Sequence, residues 1–476
     1  MTIDLSSLRE TLPEQRWFGD KGRAIKGVEL VDVAHLDENE EALALAIAAV
    51  SFEDGGTSLY HLPLLVNAEG RARDATEDAE RLKVLGPLMA RGATVAGTNG
   101  TFHFGGPGLD PLAPPGTDIR AAGVEQSNTS LILDERVILK LIRRVEWGPN
   151  PDLELPSLLT SEGFDFIPPQ VGEIYYQKDV EEGVPEAAEG IDLAIAQQYL
   201  TDGREGWEAV LEHLRNLFDE IHPSDVSEDM RVLTEERSSE LLRAIEELGE
   251  VTGALHVTLA REDFDPDVRA EPIEEMDLKE WAERARATLV DLLPHVSELD
   301  PLQAPIEARI NALTSIEHPG FKARVHGDYH LGQVIHTGRG WMILDFEGEP
   351  ARPLEERRAK QSPLKDVAGM VRSFSYGAYA VLFERAEPGT DEWERLAPWA
   401  RCWEQLARER FLNAYLTRSH EGDFLPPALD ELALLLDFFE IDKALYELGY
   451  ERGNRPAWTR IPLEGLRQVI ERGVSS

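Results

Sequence analysis

A stretch near residue 330 combines residue types and a spacing that suit phosphoryl transfer. Asp328 stands five residues before Gln333, and Asp345 ends the apolar run Trp341–Leu344 twelve residues after Gln333. Phosphoryl transfer requires a base at the acceptor hydroxyl and oxygen ligands for a magnesium ion that neutralises the developing charge. We therefore predict that Asp328 is the catalytic base and that Gln333 and Asp345 are ligands of Mg²⁺.

The two histidines of this stretch allow a different interpretation. His326 and His330 are four residues apart, a spacing that also occurs in zinc sites, but no third ligand motif accompanies them. We expect His326 to brace the loop through a backbone hydrogen bond instead. Taken alone, Asp345 is equally typical of a turn at a strand end.

A lysine upstream has the position that a phosphate-binding lysine takes in kinases. Lys140 alternates with apolar residues in the predicted strand Val137–Ile142. Its side chain can therefore point into a cleft, where it would pair with the phosphates of a nucleotide. Glu154 is its predicted partner, on a helix beginning at Asn150-Pro151. If Pro156 starts the helix instead, Glu162 is the alternative partner.

A polar turn and a strand end are the predicted contacts for a nucleotide. No glycine-rich loop precedes Lys140, and the Gly- and Pro-rich segment 97–116 lacks a Gly-Lys-Ser/Thr ending, so it predicts a hairpin and a linker. Polar side chains and backbone N–H groups can bind phosphate oxygens in place of such a loop. The predicted phosphate-contacting residues are Gln126, Ser127, Asn128, Thr129 and Ser130. The predicted adenine-contacting residues are Gln198, Tyr199 and Leu200.

The elements that must position these residues change in character along the chain. Short strands are predicted at Val28–Val33, Leu43–Phe52, Leu59–Leu65, Val137–Ile142 and Ala194–Leu200. Helical periodicity predicts helices at 207–222, 233–258, 277–297, 302–315, 364–384, 391–417 and 428–448. A strand-rich first half and a helical second half predict an α+β protein with more than one lobe.

Composition narrows the class of protein. The 476 residues carry 48 basic and 89 acidic side chains, a formal net charge of −41, which disfavours binding to nucleic acid or to anionic membranes. Cys402 is the only cysteine, which excludes an intramolecular disulfide. With no apolar run of about 18 residues and no signal-peptide pattern, the sequence predicts a soluble cytoplasmic protein.

Seven motifs spread along almost the whole chain have sequences more specific than the general kinase pattern. They are Gln15–Gly19, Glu125–Ser130, Asn150–Asp152, His326–Gln333, Asp345–Pro350, Ser362–Met370 and Tyr446–Tyr450. In these motifs the chain resembles the actinobacterial maltokinases, members of the wider aminoglycoside-phosphotransferase-like and protein-kinase-like fold. Asp345–Pro350 and the segment around Asp366 are the most specific.

The resemblance implies an α+β, bilobal protein-kinase-like fold in three parts. These are an N-terminal strand-rich cap subdomain (1–95), an intermediate strand-rich N-lobe with the nucleotide loop and hinge (96–200) and a helical C-lobe (201–476). It implies ATP- and Mg²⁺-dependent transfer to the anomeric hydroxyl of maltose, giving maltose 1-phosphate for α-glucan synthesis. Matching motifs make Asp328 the base, Gln333 and Asp345 the metal ligands and Lys140 the phosphate lysine. Asp366 is expected to support the catalytic loop.

The resemblance also implies an acidic and aromatic sugar groove in the helical C-lobe. Its candidate residues are Asp328, His330, Glu347, Lys443, Tyr446 and Tyr450. A solvated helix face is the alternative interpretation of the last three. Family members are fused to or assembled with a trehalose synthase, and this chain has no such domain, so a complex would form in trans.

Two alternatives stay open at the level of sequence. A kinase of the same fold with glucosamine, another hexose or an aminoglycoside as acceptor has the same motifs, because pocket shape sets the acceptor. A pseudokinase scaffold is the alternative from a different class, but base, metal ligands and lysine are all present. Transfer of phosphate to a sugar from a panel of acceptors distinguishes the three.

Overall fold

Strands dominate the first part of the chain and helices dominate the second. The computed structural model describes residues 3–106, 118–123, 128–179, 190–222, 230–349 and 352–472. The chain divides into two units, Met1–Thr201 and Asp202–Ser476. The α+β fold class predicted from the sequence is confirmed, since every sheet pairing between named strands is antiparallel and long helices fill the second unit.

Unit 1 is built from strands and a few short helices. Its strands are β1 (Ile25–His35), β2 (Glu41–Phe52), β3 (Thr57–Asn67), β4 (Ala72–Asp74), β5 (Thr94–Ala96), β6 (Gly100–Gly105), β7 (Ile119–Ala121), β8 (Asn128–Leu133), β9 (Val137–Ile142), β10 (Arg144–Val145), β11 (Gln170–Lys178) and β12 (Gly190–Gln198). Its helices are α1 (Ser6–Thr11), α2 (Leu85–Ala90) and α3 (Pro151–Ser161), with 3₁₀ segments at Leu12–Glu14 and Ala75–Val84.

These strands form two sheets in unit 1. One has the order β1-β2-β3-β10, with β4 on β3, and the other has the order β5-β6-β11-β12-β9-β8-β7. The β5–β6 pair is the hairpin that the Gly-rich segment predicts, and the following residues 107–117 lie outside the described part of the chain.

Alternation along β2 explains how both of its faces are buried. Leu43, Leu45 and Ile47 pack in a core that includes strands of the second sheet. The intervening alanines from position 44 to 48 and Val50 pack with Trp17 and Phe18. Because successive side chains point to opposite faces of a strand, one apolar run supplies two cores.

Unit 2 consists mainly of helices. They are α4 (Gly206–Asp219), α5 (Met230–Arg237), α6 (Ser239–Leu259), α7 (Glu275–Leu292), α8 (Gln303–Leu313), α9 (Leu354–Arg358), α10 (Leu364–Arg385), α11 (Asp391–Ser419), α12 (Leu429–Asn454) and α13 (Arg460–Arg472). Short strands are β13 (Arg204–Glu205), β14 (Glu271–Pro272), β15 (Phe321–Lys322), β16 (Val334–Thr337) and β17 (Gly340–Ile343). The 3₁₀ segments are Leu293–His295, Ser297–Leu299, Leu331–Gln333 and Pro456–Thr459.

Two details of unit 2 differ from the predicted elements. The single helix predicted at 233–258 is interrupted at Ser238, whose backbone leaves the helical region and whose hydroxyl lies 2.9 Å from Nε2 of His213. Helix α13 was not predicted. Among the described residues, no helix combines the length and apolar composition needed to cross a bilayer.

Candidate active site

The buried carboxylate of Asp366 holds the loop that carries Asp328 through hydrogen bonds to the loop backbone. Asp366, in the first turn of α10, accepts hydrogen bonds from the amides of His326 (2.8 Å) and Gly327 (2.9 Å). Nε2 of the buried His256 lies 3.2 Å from the same carboxylate. Burial raises the pKa of Asp366, but the hydrogen bond of His256 and neighbouring charges outweigh burial and lower it. The expectation that Asp366 supports the catalytic loop is confirmed.

His326 connects this loop to the segment that carries Asp345. Its Nε2 donates to the backbone oxygen of Leu344 (2.8 Å), and its Nδ1 accepts from the amide of Asp328 (3.4 Å). Both ring nitrogens therefore have hydrogen bonds, as the bracing role predicts. No cluster of three His, Cys, Asp or Glu side chains placed to hold a metal occurs in the described ranges.

Asp328 forms a charged network with Lys443 and Glu349. Nζ of Lys443, on α12, lies 3.0 Å from Oδ1 of Asp328 and 3.0 Å from Oε1 of Glu349. Burial raises the pKa of Asp328, but the charge of Lys443, with a smaller contribution from His330, lowers it to about 2. Asp328 is therefore ionised at neutral pH. Its Oδ2 lies 3.9 Å from Nε2 of His330, a ring whose pKa is lowered by burial.

The two predicted metal ligands lie next to each other. Gln333 ends the 3₁₀ turn after Asp328, Asp345 follows β17, and Nε2 of Gln333 donates to Oδ2 of Asp345 (3.3 Å). Asp345 has φ +61°, a left-handed conformation that costs of order 1 kcal/mol outside glycine. An amide oxygen and a carboxylate are hard donors of the kind Mg²⁺ prefers, with phosphate oxygens completing its shell. These residues fit a magnesium ion.

In unit 1, Lys140 is paired with an acidic residue that the sequence analysis did not propose. Nζ of Lys140 lies 2.8 Å from Oδ2 of the buried Asp152. Helix α3 starts at Pro151, capped by Asn150, and continues through Pro156, so the alternative start at Pro156 is wrong. Asp152 lies in the first turn of this helix, two residues before the predicted partner Glu154 and ten before the alternative, Glu162.

The predicted nucleotide turn is partly a strand. Gln126 and Ser127 lie outside the described residues, whereas Asn128, Thr129 and Ser130 begin β8. Asn128 Oδ1 accepts from the amide of Arg143 (3.4 Å), and Thr129 Oγ1 accepts from Arg143 Nε (2.9 Å). Both side chains act as acceptors in these bonds within unit 1, and their predicted contact with phosphate stays a prediction. Ser130 is buried directly opposite Lys140 in the ladder.

The strand end predicted to meet adenine also has internal hydrogen bonds. The amide of Gln198 donates to Pro169 O (3.0 Å), and the amide of Tyr199 donates to Arg136 O (2.7 Å). These two N–H groups are therefore bonded within unit 1, and the contact of this strand end with adenine stays a prediction. Leu200 follows them at the end of unit 1.

A cavity of 370 Å³ in unit 2 lies beside Lys443 and is here named the tyrosine cavity. Four predicted sugar-binding residues line it: His330, Lys443, Tyr446 and Tyr450. A fifth, Asp328, accepts a hydrogen bond from Lys443. Other lining residues are Glu205, Trp207, Tyr376, Glu447, Glu451, Arg455 and Trp458.

Two outcomes at this cavity differ from the sequence analysis. Glu347 is not among the described lining residues, and its backbone oxygen accepts from Arg357 (3.1 Å). Glu349, two residues later, contacts Lys443 instead. Glu447 and Glu451 were missed, although their four-residue spacing from Lys443 places all three on one face of α12.

Two parts of the chain match known protein families. Residues 12–89 match a family described as the maltokinase N-terminal cap domain, and residues 209–399 match the phosphotransferase enzyme family. The chain is 27% identical over 426 residues to a glucosamine kinase of Streptacidiphilus jiangxiensis, with 86% of each chain covered. It is 26% identical over 367 residues to a glucosamine kinase of Mycolicibacterium smegmatis, covering 75% of this chain and 81% of that one.

The fold is also found among solved structures. A glucosamine kinase in complex with glucosamine, ADP and inorganic phosphate has a TM-score of 0.69 and 23% identity, with 98% of this chain and 100% of that chain covered. At this identity the likeness shows the fold. The family matches and the curated relatives show that the chain is a phosphotransferase whose acceptor is a hydroxyl group.

Proposed function

We propose that this protein transfers the γ-phosphoryl group of ATP to the anomeric hydroxyl of maltose, giving maltose 1-phosphate for α-glucan synthesis. The observation that carries the proposal is the ionised Asp328, bonded to Lys443 at the edge of the tyrosine cavity. A sugar in that cavity presents a hydroxyl to a carboxylate that is ready to accept a proton.

The residues of unit 2 account for the proton transfer. Oδ1 of Asp328 is held by Lys443, which leaves Oδ2 on the side of His330 to accept the hydroxyl proton. As the sugar oxygen forms its bond to the γ-phosphorus, the bond to the β,γ-bridging oxygen breaks and ADP leaves. Lys443 and His330 fix the carboxylate in one orientation, so that little reorganisation is needed.

Cationic groups must offset the negative charge of the transferred phosphate. Mg²⁺ held by Gln333 and Asp345 would neutralise charge on the phosphate oxygens. Lys140, oriented by Asp152 in unit 1, is the proposed contact for the remaining phosphates. With a formal net charge of −41, the chain depends on such local cations.

The lining of the tyrosine cavity favours a neutral sugar. Its carboxylates Glu447 and Glu451 are already paired with Arg372 (2.9 Å) and Arg455 (2.6 Å). Oη of Tyr376 is buried and has no hydrogen-bond partner among the described residues, so a ligand hydroxyl would satisfy it. The volume of 370 Å³ lies at the lower end of about 300–1,000 Å³ for small-molecule pockets.

Glucosamine is the second candidate acceptor, because the two curated relatives above are named glucosamine kinases. The cavity also contains Glu205, an acidic group whose pKa is raised by burial and by Glu208. The ammonium group of glucosamine, if it lies near Glu205, would pair with this carboxylate, which would favour glucosamine as the substrate. The paired state of Glu447 and Glu451 is the reason that we place maltose first.

The test is ADP release with ATP and Mg²⁺ over maltose, glucosamine, glucose and an aminoglycoside, with the product identified by ³¹P NMR. We expect turnover with maltose and an acid-labile anomeric phosphate. If only glucosamine is turned over, glucosamine and not maltose is the acceptor. If no acceptor causes ADP release although the protein still binds nucleotide, the result would favour a non-catalytic scaffold. Assembly in trans with a trehalose synthase is part of the proposal, and co-elution of the two purified proteins tests it.

A further inference from the structure

A second cavity of unit 2, of 330 Å³, lies between α7, α12 and the segment that joins α9 to α10. We name it the α7–α12 cavity. It shares no lining residue with the tyrosine cavity. Its charged lining residues are Arg284, Arg352, Lys365, Glu356 and Asp442, and Trp281 lies on its apolar side.

Basic residues outnumber acidic residues in the lining of the α7–α12 cavity, whereas acidic residues predominate in the whole chain. Three basic and two acidic side chains line it, whereas the chain has 48 basic and 89 acidic residues. Arg352 is committed to Glu349 and to Glu356 (3.2 Å). Asp442 is then the acidic lining residue left opposite Arg284 and Lys365, and because burial raises the pKa of Asp442, the lining keeps a net positive charge.

Lys365 and Arg284 are the cations available to a ligand. Among the residues that the structure describes, neither side chain makes an ion pair, although both act at longer range on Asp442. Burial lowers the pKa of Lys365, which Glu349 opposes, as expected for an ammonium group without a direct partner. Lys365 lies at the start of α10 and Arg284 on α7, so two separate elements direct cations into one space.

We propose that the α7–α12 cavity binds a small phosphate ester, held by Arg284 and Lys365 and packed against Trp281. A phosphate monoester carries a charge of about −1.5 to −2 at neutral pH and can offset both cations, whereas a carboxylate offsets one. The cavity volume suits a small molecule of sugar size. Arg352, which lines this cavity, forms an ion pair with Glu349. Glu349 in turn forms an ion pair with Lys443, the residue that holds Asp328.

Isothermal titration of the full chain at low ionic strength tests the proposal, with glucose 6-phosphate and inorganic phosphate as probes and glucose as the uncharged control. We expect the Kd of glucose 6-phosphate to rise at least tenfold in Arg284→Ala and in Lys365→Met. Arg286→Ala is the matched control, since Arg286 lies on the same helix, donates to Asn311 (2.9 Å) and does not line the cavity.

Three results would overturn the proposal: no binding of either phosphate probe to the wild-type chain, an unchanged Kd in Arg284→Ala, or equal weakening in Arg286→Ala. Arg284 is exposed, so its replacement leaves the fold intact even if Lys365→Met unfolds the protein. The measurement uses no turnover, and its result is therefore independent of which sugar is the acceptor.

Discussion

Lys443 has a role at the residue scale that the sequence did not indicate. Lys443 was predicted to lie in the sugar site, and in the structure it also joins Asp328 to Glu349. Burial lowers the pKa of Lys443, but Asp328 and Glu349 outweigh burial and raise it, so the ammonium group stays charged. We infer that Lys443 orients the base and keeps it ionised.

The pH dependence of turnover tests this role. The pKa of Asp328 is lowered from 3.8 to about 2, so the base is ionised throughout the range above pH 4, and its contribution to stability is lost only as the pH falls toward 2. The Lys443→Met substitution removes the positive charge that lowers the pKa of Asp328. Burial then acts without that opposing charge and raises this pKa. We expect the acid limb of kcat/KM to move upward by about one pH unit or more.

The control for this experiment is Lys322→Met, which removes a lysine paired with Asp277 away from the tyrosine cavity. Its pH profile should match that of the wild-type chain. An unshifted acid limb in Lys443→Met, with turnover still measurable, would contradict the role assigned to Lys443.

Sequence reasoning at this scale succeeded where the chemistry is local. Gln333 and Asp345 were proposed together because twelve residues separate them, and they lie in contact. The partner of Lys140 was missed because it depends on where α3 starts and on how this helix packs in unit 1, which spacing does not determine. The contact of Thr129 with Arg143, fourteen residues away, was not predicted, because it depends on the pairing of β8 with β9.

At the scale of elements, α10 positions the catalytic loop. Its first turn supplies Asp366, and Gly369 lies against the loop backbone, where a Cβ atom would come 2.6 Å from Tyr329 O. Tyr329 is anchored in turn by Thr252 of α6 (2.9 Å). The absence of a side chain at Gly369 therefore permits the close approach of helix and loop.

Gly369→Ala should lower both stability and activity. The added methyl group meets backbone oxygen, which cannot move cheaply, so we expect a loss of about 1–3 kcal/mol in the free energy of unfolding and a fall in kcat. Urea denaturation and steady-state kinetics measure the two effects.

Gly449→Ala is the matched variant, because this helical glycine of α12 would place its Cβ 3.7 Å from Leu292, an ordinary contact. Here we expect a gain of up to about 1 kcal/mol from helix propensity. Equal stability of the two variants would contradict the proposed approach of α10 to the loop.

Elements with a long, regular period were predictable, and interruptions were not. The helices predicted at 364–384 and 391–417 match α10 and α11 within two residues at each end. The break between α5 and α6 was missed because it depends on the contact of Ser238 with His213, which lies on α4. Tertiary hydrogen bonds of this kind leave no periodic signal.

At the scale of the whole molecule, composition and the strand-to-helix change were sufficient for the fold class. The chain divides at Thr201, close to the change in periodicity near residue 205. The acceptor was not determined in this way, because it depends on side chains from α4, α10, α12 and the segment after it that meet only in the folded unit 2. Their spacing along the sequence is too wide for a motif.

Asp328 is the proposed base for phosphoryl transfer, and the whole proposed mechanism requires it. The decisive measurement is single-turnover transfer from labelled ATP to maltose by the wild-type chain and by Asp328→Asn, with the Kd of ATP determined in parallel. We predict a loss of about 10²–10⁴-fold in the transfer rate, the usual contribution of a general base, with an unchanged Kd. Transfer by Asp328→Asn at a rate near that of the wild-type chain would contradict the account.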